Sequence, residues 1–474
     1  MAVPDFELVV RGGTIVVPGR HEIADVGVRD GRIAQIGGAM TGQEELSAHG
    51  LLVIPGGVDA HTHLVCAALA EAVGGQRGPM WVDDFWTGSL AAFAGGITTI
   101  GNMTFAMSGE SMTAAIAREM AGASAEAAAD WFLHPVPAGV DDRTAGEIAT
   151  LAADGHPSFK VFLSDPEYAA GGVPELPAAF AAAGRAGALT LVHCEDAGIL
   201  ERTGQELIGS GHGAVRHFPD ARPVSAEVAA VDQAINLTRQ TGAPIYIVHL
   251  SSAEALDRCR QARAAGLPVY VETRPLYLHL TRERFEEPDA AKYVGAPPLR
   301  DQSDRDALWR GLAAGDIDTV CSDHAPWTLA DKLDPALDVV TARQGVADLE
   351  TLMPMLFSEG VVAGRISLDR FVELTSGNAA RLFGLHPRKG AIAVGSDADL
   401  ALWDPKRRTT IDGTRMQSRA GYSVYDGWTV QGWPRFVIRR GQVVLADGRS
   451  LAQPGQGQCI RRTPAASQPP IVTS

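Results

Sequence analysis

Leu51-Leu-Val-Ile54 runs straight into Pro55-Gly-Gly-Val-Asp59-Ala-His61-Thr-His63. An apolar run followed at once by glycines, an acid and two alternate histidines reads as a buried strand that delivers polar side chains at its end. The pattern recurs down the chain. Short apolar runs end near Ile54, Met103, Phe132, Leu163, Val192, Val248, Val271 and Val320, with alanine-rich helical stretches such as 177–186 and 226–241 between them. Eight strands alternating with helices over roughly 270 residues match the α/β architecture of a (β/α)8 TIM barrel, whose usual size is ~250 residues. A doubly wound sheet is the competitor, but no GxGxxG follows an early strand. The barrel is the expectation, over residues 55–384.

Both ends of the chain read differently. Phe6-Glu-Leu-Val-Val10, Thr14-Ile-Val-Val17 and Arg32-Ile-Ala-Gln-Ile36 are β-branched or alternating runs, with Asp30-Gly31 as a hairpin turn. Ala398-Asp-Leu-Ala-Leu-Trp403, Phe436-Val-Ile-Arg439 and Gln442-Val-Val-Leu445 repeat that pattern near the other end. Residues 1–54 and 385–450 are therefore expected to build one small composite β-sandwich. The segment 451–474, rich in Gln, Pro and Ser, reads as a loose tail that could strap onto a neighbouring subunit.

Composition narrows the function. The chain has 474 residues, 46% of them apolar, which is enough for a large core and excludes wholesale disorder. A formal charge of −15 with no long basic run repels phosphate backbones, so nucleic acid is not an expected partner. Five scattered cysteines without a CxxC pair suit a reducing compartment and offer no thiolate zinc site. The opening Met-Ala-Val-Pro-Asp-Phe-Glu has no basic-then-apolar signal, so the cytoplasm is the expected location. Residues 85–109 carry no charge, but Gly95-Gly96 splits them; a buried helix, a turn and a buried strand are expected rather than a membrane span.

Barrel enzymes place their chemistry where strands end. Collecting those ends brings His61, His63, His193, His249 and Asp323 to one rim, with Lys160 inside the apolar context Ser158-Phe-Lys-Val-Phe162. Taken singly, each histidine is more often a hydrogen-bonded structural residue. Taken together with a lysine whose buried ammonium would be costly, they indicate a metal site. Imidazole and carboxylate without thiolate suit zinc, with manganese or nickel as substitutes. Carbon dioxide added to Lys160 would give a carbamate able to bridge two divalent ions, removing the buried positive charge. Cys194 and Cys321, beside these residues, read as small core-fillers.

At these segments the chain resembles the binuclear amidohydrolase superfamily, and within it the cyclic-amide branch of hydantoinases, dihydropyrimidinases, allantoinases and dihydroorotases. Val192-His-Cys-Glu-Asp196, Val248-His-Leu-Ser-Ser252, Glu272-Thr-Arg-Pro-Leu-Tyr277, Ala296-Pro-Pro-Leu-Arg300, Ser322-Asp-His-Ala-Pro326 and Gly345-Val-Ala-Asp-Leu-Glu-Thr351 continue the likeness in order. The resemblance implies that His61, His63 and Asp323 hold one metal, that His193 and His249 hold the second, and that carboxylated Lys160 bridges them. It implies hydrolysis of a cyclic amide by a hydroxide shared between the metals, with Asp323 as proton shuttle. It also implies a homodimer or homotetramer. The alternatives are an amidohydrolase of acyclic amides or carbamates, and a non-catalytic scaffold like the dihydropyrimidinase-related proteins of neurons.

The pocket departs from that family. Asp165 stands where those enzymes carry an oxyanion-stabilising tyrosine, with Tyr168 three residues on; Ala296 replaces a ring-binding serine, Gln344 an asparagine and Arg274 a cysteine. Dihydroorotases carry an arginine two residues after the second histidine for the substrate carboxylate. Here that position is Val65, and the next arginine is Arg77, leaving Arg274 as the alternative cation. Trp81, Phe85 and Trp86 could line a pocket mouth, although helix core is expected for at least two of them. The expected substrate is a neutral cyclic amide, imide or ureide with an apolar substituent.

Overall fold

The computed structural model describes residues 4–65, 80–169 and 173–464. Residues 66–79, which include Cys66 and Arg77, and residues 465–474 lie outside the described residues.

The first strands are β1 (Phe6–Val17), β2 (Arg20–Arg29), β3 (Arg32–Ile36), β4 (Gly42–Ser47) and β5 (Leu52–Pro55). The barrel follows with β6 (Gly57–Thr62), β7 (Ile97–Phe105), β8 (Asp130–Val136), β9 (Ser158–Phe162), β10 (Leu189–His193), β11 (Ile245–Ile247), β12 (Val269–Thr273) and β13 (Thr319–Val320). The chain then returns to the small domain as β14 (Leu400–Thr410), β15 (Thr429–Arg439), β16 (Gln442–Ala446) and β17 (Arg449–Ser450).

The two termini do build one unit. Its strands form a single nine-stranded sheet in the order β17-β16-β15-β14-β5-β1-β2-β3, with β4 also paired to β1. Leu8, Val10, Val26, Val53, Leu400, Leu402 and Ile438 from both ends share its core. The long β1 shifts register between Val10 and Gly13, so its two halves serve different neighbours.

Here one expectation is corrected. The apolar run ending at Ile54 is not the first barrel strand: β5 pairs with β1 on one side and β14 on the other. Period alone shows burial, not which sheet does the burying. The barrel begins after the break at Pro55-Gly56. Gly56 and Gly57 are required there, because an added Cβ would lie 2.3 Å from Thr98 Oγ1 or 2.7 Å from the Met353 sulfur.

Strands β6 to β8 pair in parallel, as do β9 to β13. A Thr62–His324 bridge joins the two arcs on one side. On the other, His134 Nδ1 and Ser158 Oγ are 2.8 Å apart. The charge-free stretch forms the helix Phe85–Gly95, a left-handed turn at Gly96 (φ 92°) and β7, as its glycine pair demands.

The tail also departs from expectation. Residues up to Thr463 dock on the chain's own barrel: Trp131 donates its N–H to Gln458 O at 2.9 Å, and Ile460 N–H returns to Trp131 O at 2.7 Å. Arg462 is buried, with Nη2 at 2.8 Å from both Leu133 O and Ser158 Oγ, at the strand ends away from His193. Backbone pairing with a barrel strand holds this segment, so a polar composition did not make it loose.

Candidate metal centre

His61 and His63 alternate at the end of β6, so both rings face the same way. Asp59, two residues earlier, anchors the turn: it accepts the His61 N–H at 3.1 Å and the Ser322 N–H at 3.2 Å. That staple holds the end of β6 beside the turn that carries Asp323. The Asp323 Oδ1 atom lies 3.0 Å from His63 Nε2 and 3.3 Å from His61 Nε2. One ligand atom from each of these three buried residues falls within 4.8 Å of the others.

The second cluster faces the first. His193 ends β10 and His249 follows β11; His193 Nδ1 and His249 Nε2 are 3.0 Å apart. The His61 and His249 rings stack with centroids 5.6 Å apart, which brings the two clusters together. His249 (φ 37°) and Asp323 (φ 49°) are two of the few non-glycine residues with left-handed backbones, a strain typical of functional sites.

Two acids orient the rings. Glu272 accepts from His61 Nδ1 at 2.8 Å and from the His249 backbone N–H at 2.9 Å. Glu195 accepts from His193 Nε2 at 2.9 Å and is clamped by Arg222. Each acid holds one ring nitrogen, so His61 Nε2 and His193 Nδ1 are left to face the centre. Burial would raise Glu195, but Arg222 and His193 overcome it and hold the carboxyl at about 2. Burial keeps His63 at about 4 and His249 well below the usual imidazole range, so both rings stay neutral and able to ligate.

Lys160 is fully buried, and its Nζ has no hydrogen-bond partner. Nζ sits 4.7 Å above the Phe162 ring. Burial, opposed by Glu272 and Asp323, pushes the amine down to about 8. His61 Nε2 and His249 Nδ1 are likewise buried without a hydrogen bond. Native interiors seldom leave this many polar atoms unsatisfied in one place. Neutral imidazoles, a carboxylate and an unpaired amine together fit divalent cations.

The profile of the amidohydrolase family matches residues 52–444. The chain belongs to the amidohydrolase family. It is 36% identical over 474 residues to the D-phenylhydantoinase of Escherichia coli O9:H4 (strain HS), covering 98% of this chain and 100% of the relative. Identity to the D-hydantoinase of Ralstonia pickettii is 35% over 461 residues, 96% of this chain and 99% of that one. The solved D-hydantoinase of Bacillus sp. AR9 superposes with a TM-score of 0.90 at 36% identity, over 96% of this chain and 99% of that chain.

This amidohydrolase opens its centre onto a cavity of about 950 Å³, lined near the site by His63, Trp81, Phe105, Phe162, Asp165 and Trp327. Trp81 packs against His63, tilted by 47° with ring centroids 4.8 Å apart. Phe85 packs on Trp131 in the core, and Trp86 is partly buried against the same core, as expected for two of the three aromatics. Asp165 lies in the cavity wall, where burial and then Glu167 push its carboxyl up to about 6. Tyr168, in the helix Pro166–Ala169, packs against the core instead of taking the missing tyrosine's place in the wall.

The remaining pocket residues are not among those lining this cavity. Ala296 is buried, and Gln344 is half-buried with its carbonyl accepting from Trp327 Nε1 at 2.7 Å. Arg274 is completely buried, with Nη1 donating to Asp323 Oδ2 at 2.7 Å and Nη2 to Asp348 at 3.4 Å. Burial raises the thiols of Cys194 and Cys321 well above their usual range, so neither is a thiolate, in keeping with core-fillers. Sequence reading missed Glu195 and Glu272 as orienting acids; their signal is a carboxylate beside or inside an otherwise apolar strand. It also missed Asp83, which accepts from His324 Nε2 at 2.9 Å and ties the segment before the helix Phe85–Gly95 to the Asp323 turn.

Proposed function

We propose that this amidohydrolase adds water across a C–N bond of a neutral cyclic amide, imide or ureide of the hydantoin or dihydropyrimidine type. The observation that carries this reading is the convergence of His61, His63 and Asp323 beside a buried lysine amine with no partner. Full-length likeness to proteins named D-phenylhydantoinase and D-hydantoinase supports the ring chemistry.

In this reading His61, His63 and Asp323 hold one divalent cation and His193 and His249 a second. Lys160, once carboxylated by carbon dioxide, would offer oxygen ligands to both. The donor set favours zinc, with manganese or nickel as substitutes. Bound there, the cations supply a hydroxide at neutral pH and a Lewis acid for the amide carbonyl. Asp323 takes the nucleophile's proton as the new C–O bond forms and passes it to the ring nitrogen as the C–N bond breaks. Because Arg274 holds Asp323 Oδ2, the carboxylate is aligned and stays ionised, well below its usual range despite burial. Glu272 and Glu195 keep the imidazoles turned inward, while Trp81, Phe105 and Trp327 offer an apolar wall to the ring substituent and keep bulk water away.

Assembly as a homodimer or homotetramer and a cytoplasmic location complete the proposal. Support for the location comes from cysteines: Cys194, Cys259, Cys321 and Cys459 are free among the described residues. No helix among the described residues is long and apolar enough to cross a membrane. The test is a ring-opening assay across 5-aryl and 5-alkyl hydantoins, dihydrouracil, dihydroorotate, allantoin and acyclic amides. Turnover led by a neutral ring is the expected result; turnover led by an acyclic amide would overturn the reading. Light scattering at the mass of a single chain would remove the oligomer.

A further inference from the structure

Lys332 ends the short helix Leu329–Lys332, after the turn that carries Asp323. It is 1% exposed, and no acid figures among the influences on it; burial and then Arg274 push its amine well below the usual range. Its Nζ nevertheless makes a full set of contacts. It donates to Val294 O at 2.6 Å, Arg343 O at 2.7 Å and Gly345 O at 2.9 Å. Three carbonyls at this range require three N–H groups, which only the ammonium supplies. Three carbonyls therefore hold this amine in place where burial and Arg274 both oppose its charge.

The carbonyls belong to two separate segments. Val294 lies two residues before Ala296, and Arg343 and Gly345 flank Gln344. The segments also touch directly, with the Gly345 N–H donating to Val294 O at 3.0 Å. Between the two carbonyls held by Lys332, that of Gln344 goes instead to Trp327 Nε1, in the cavity wall. Gly345 has no room for a side chain: at φ 115°, an added Cβ would lie 2.4 Å from Ala325 O.

We propose that Lys332 is a positioning residue for substrate binding, an internal ammonium that fixes the spacing of residues 294–296 and 343–345. The second segment holds Trp327 in the cavity wall through the Gln344 backbone carbonyl, so the kinetic consequence of Lys332 rests on the function proposed above. Releasing hydrogen bonds to a charged group allows about a tenfold or larger loss of binding.

Lys332→Met keeps the stem and removes all three donors; Lys332→Gln keeps two. Both variants are compared with wild type by amide hydrogen exchange, metal content and steady-state kinetics on the best neutral cyclic amide. Exchange in 294–297 and 343–346 is expected to rise about tenfold in Lys332→Met, while β9 to β12 keep their protection. KM should rise about tenfold with kcat and metal content near wild type, and Lys332→Gln should fall between. Unchanged exchange in both segments, or a fall in kcat and metal content at constant KM, overturns the proposal. If Lys332→Met does not fold, Lys332→Gln is read on the same measures. The exchange arm needs no substrate, so it decides the role of Lys332 even if wild type opens no cyclic amide.

Discussion

Arg274 Nη1 donates to Asp323 Oδ2 at 2.7 Å, while Asp323 Oδ1 faces His61 and His63. The two carboxylate oxygens thus have separate duties. The same guanidinium reaches Asp348 at 3.4 Å, so Arg274 is occupied on both sides and is not a free receptor for a substrate carboxylate. Val65, the other position where such a cation would stand, is buried.

A negatively charged ring should therefore be a poor substrate. Dihydroorotate is expected to turn over far more slowly than 5-phenylhydantoin under the same conditions. Comparable rates would show that Arg274 leaves Asp323 to meet the substrate.

Replacing Arg274 by Met strands two buried acids. Removing one partner of a buried pair typically costs ~3–5 kcal/mol. Urea unfolding of Arg274→Met should show a loss of that order, and adding Asp348→Asn should recover part of it. A loss below ~1 kcal/mol would mean that the pair is largely solvated or replaceable.

Lys160→Ala should remove activity and lower the metal content of the purified protein. Short carboxylic acids, offering two oxygens in place of a carbamate, should restore part of both. Full activity without them would exclude Lys160 from the centre.

Asp323→Asn separates holding a cation from moving a proton. Turnover is expected to fall by ~10²–10⁴, the usual worth of a general acid–base group. Metal content should fall much less. An enzyme within a few-fold of wild type would place the proton transfer elsewhere.

Glu350 gives a pH signature away from the metal centre. Burial pushes its carboxyl up to about 7, Asp83 adding to the effect and the Gln417 N–H opposing it. The folded chain then binds more protons than the unfolded chain between the usual carboxylate range and about 7, so this group's contribution to stability falls as pH rises through that window. Glu350→Gln should show a Tm gain over wild type that grows from pH 5 to pH 8. A gain independent of pH would mean that the carboxyl titrates normally.

Much of the site was legible because chemistry interrupts apolar runs. His61, His63, Lys160, His193, His249 and Asp323 all stand within or just after such runs, and the structure gathers them. The orienting acids were harder to read, since the roles of Glu195 and Glu272 depend on which ring nitrogen each one faces. The run Leu51–Ile54 reads equally as a barrel strand or as part of the terminal unit, because an apolar run looks alike in either sheet. Lys332 sits in an ordinary polar turn of sequence, and its acceptors are carbonyls, which every residue has. The docked segment near Gln458 pairs through backbone atoms and so leaves little side-chain trace. Trp81 and Phe85 share one aromatic stretch, yet the first meets His63 and the second Trp131.

Strand β5 lies between β1 and β14. On a ribosome, the chain emits β5 and then the whole barrel before its second neighbour exists. Until β14 emerges, one side of β5 is an open edge of apolar residues, able to recruit a strand from another chain. The barrel floor waits longer still, because Arg462 is among the last described residues to be made. A stop codon shortly before that point would spare every proposed metal ligand and yet leave Leu133 O and Ser158 Oγ without their shared cation. Expression yield, more than catalysis, is where such a truncation would be felt.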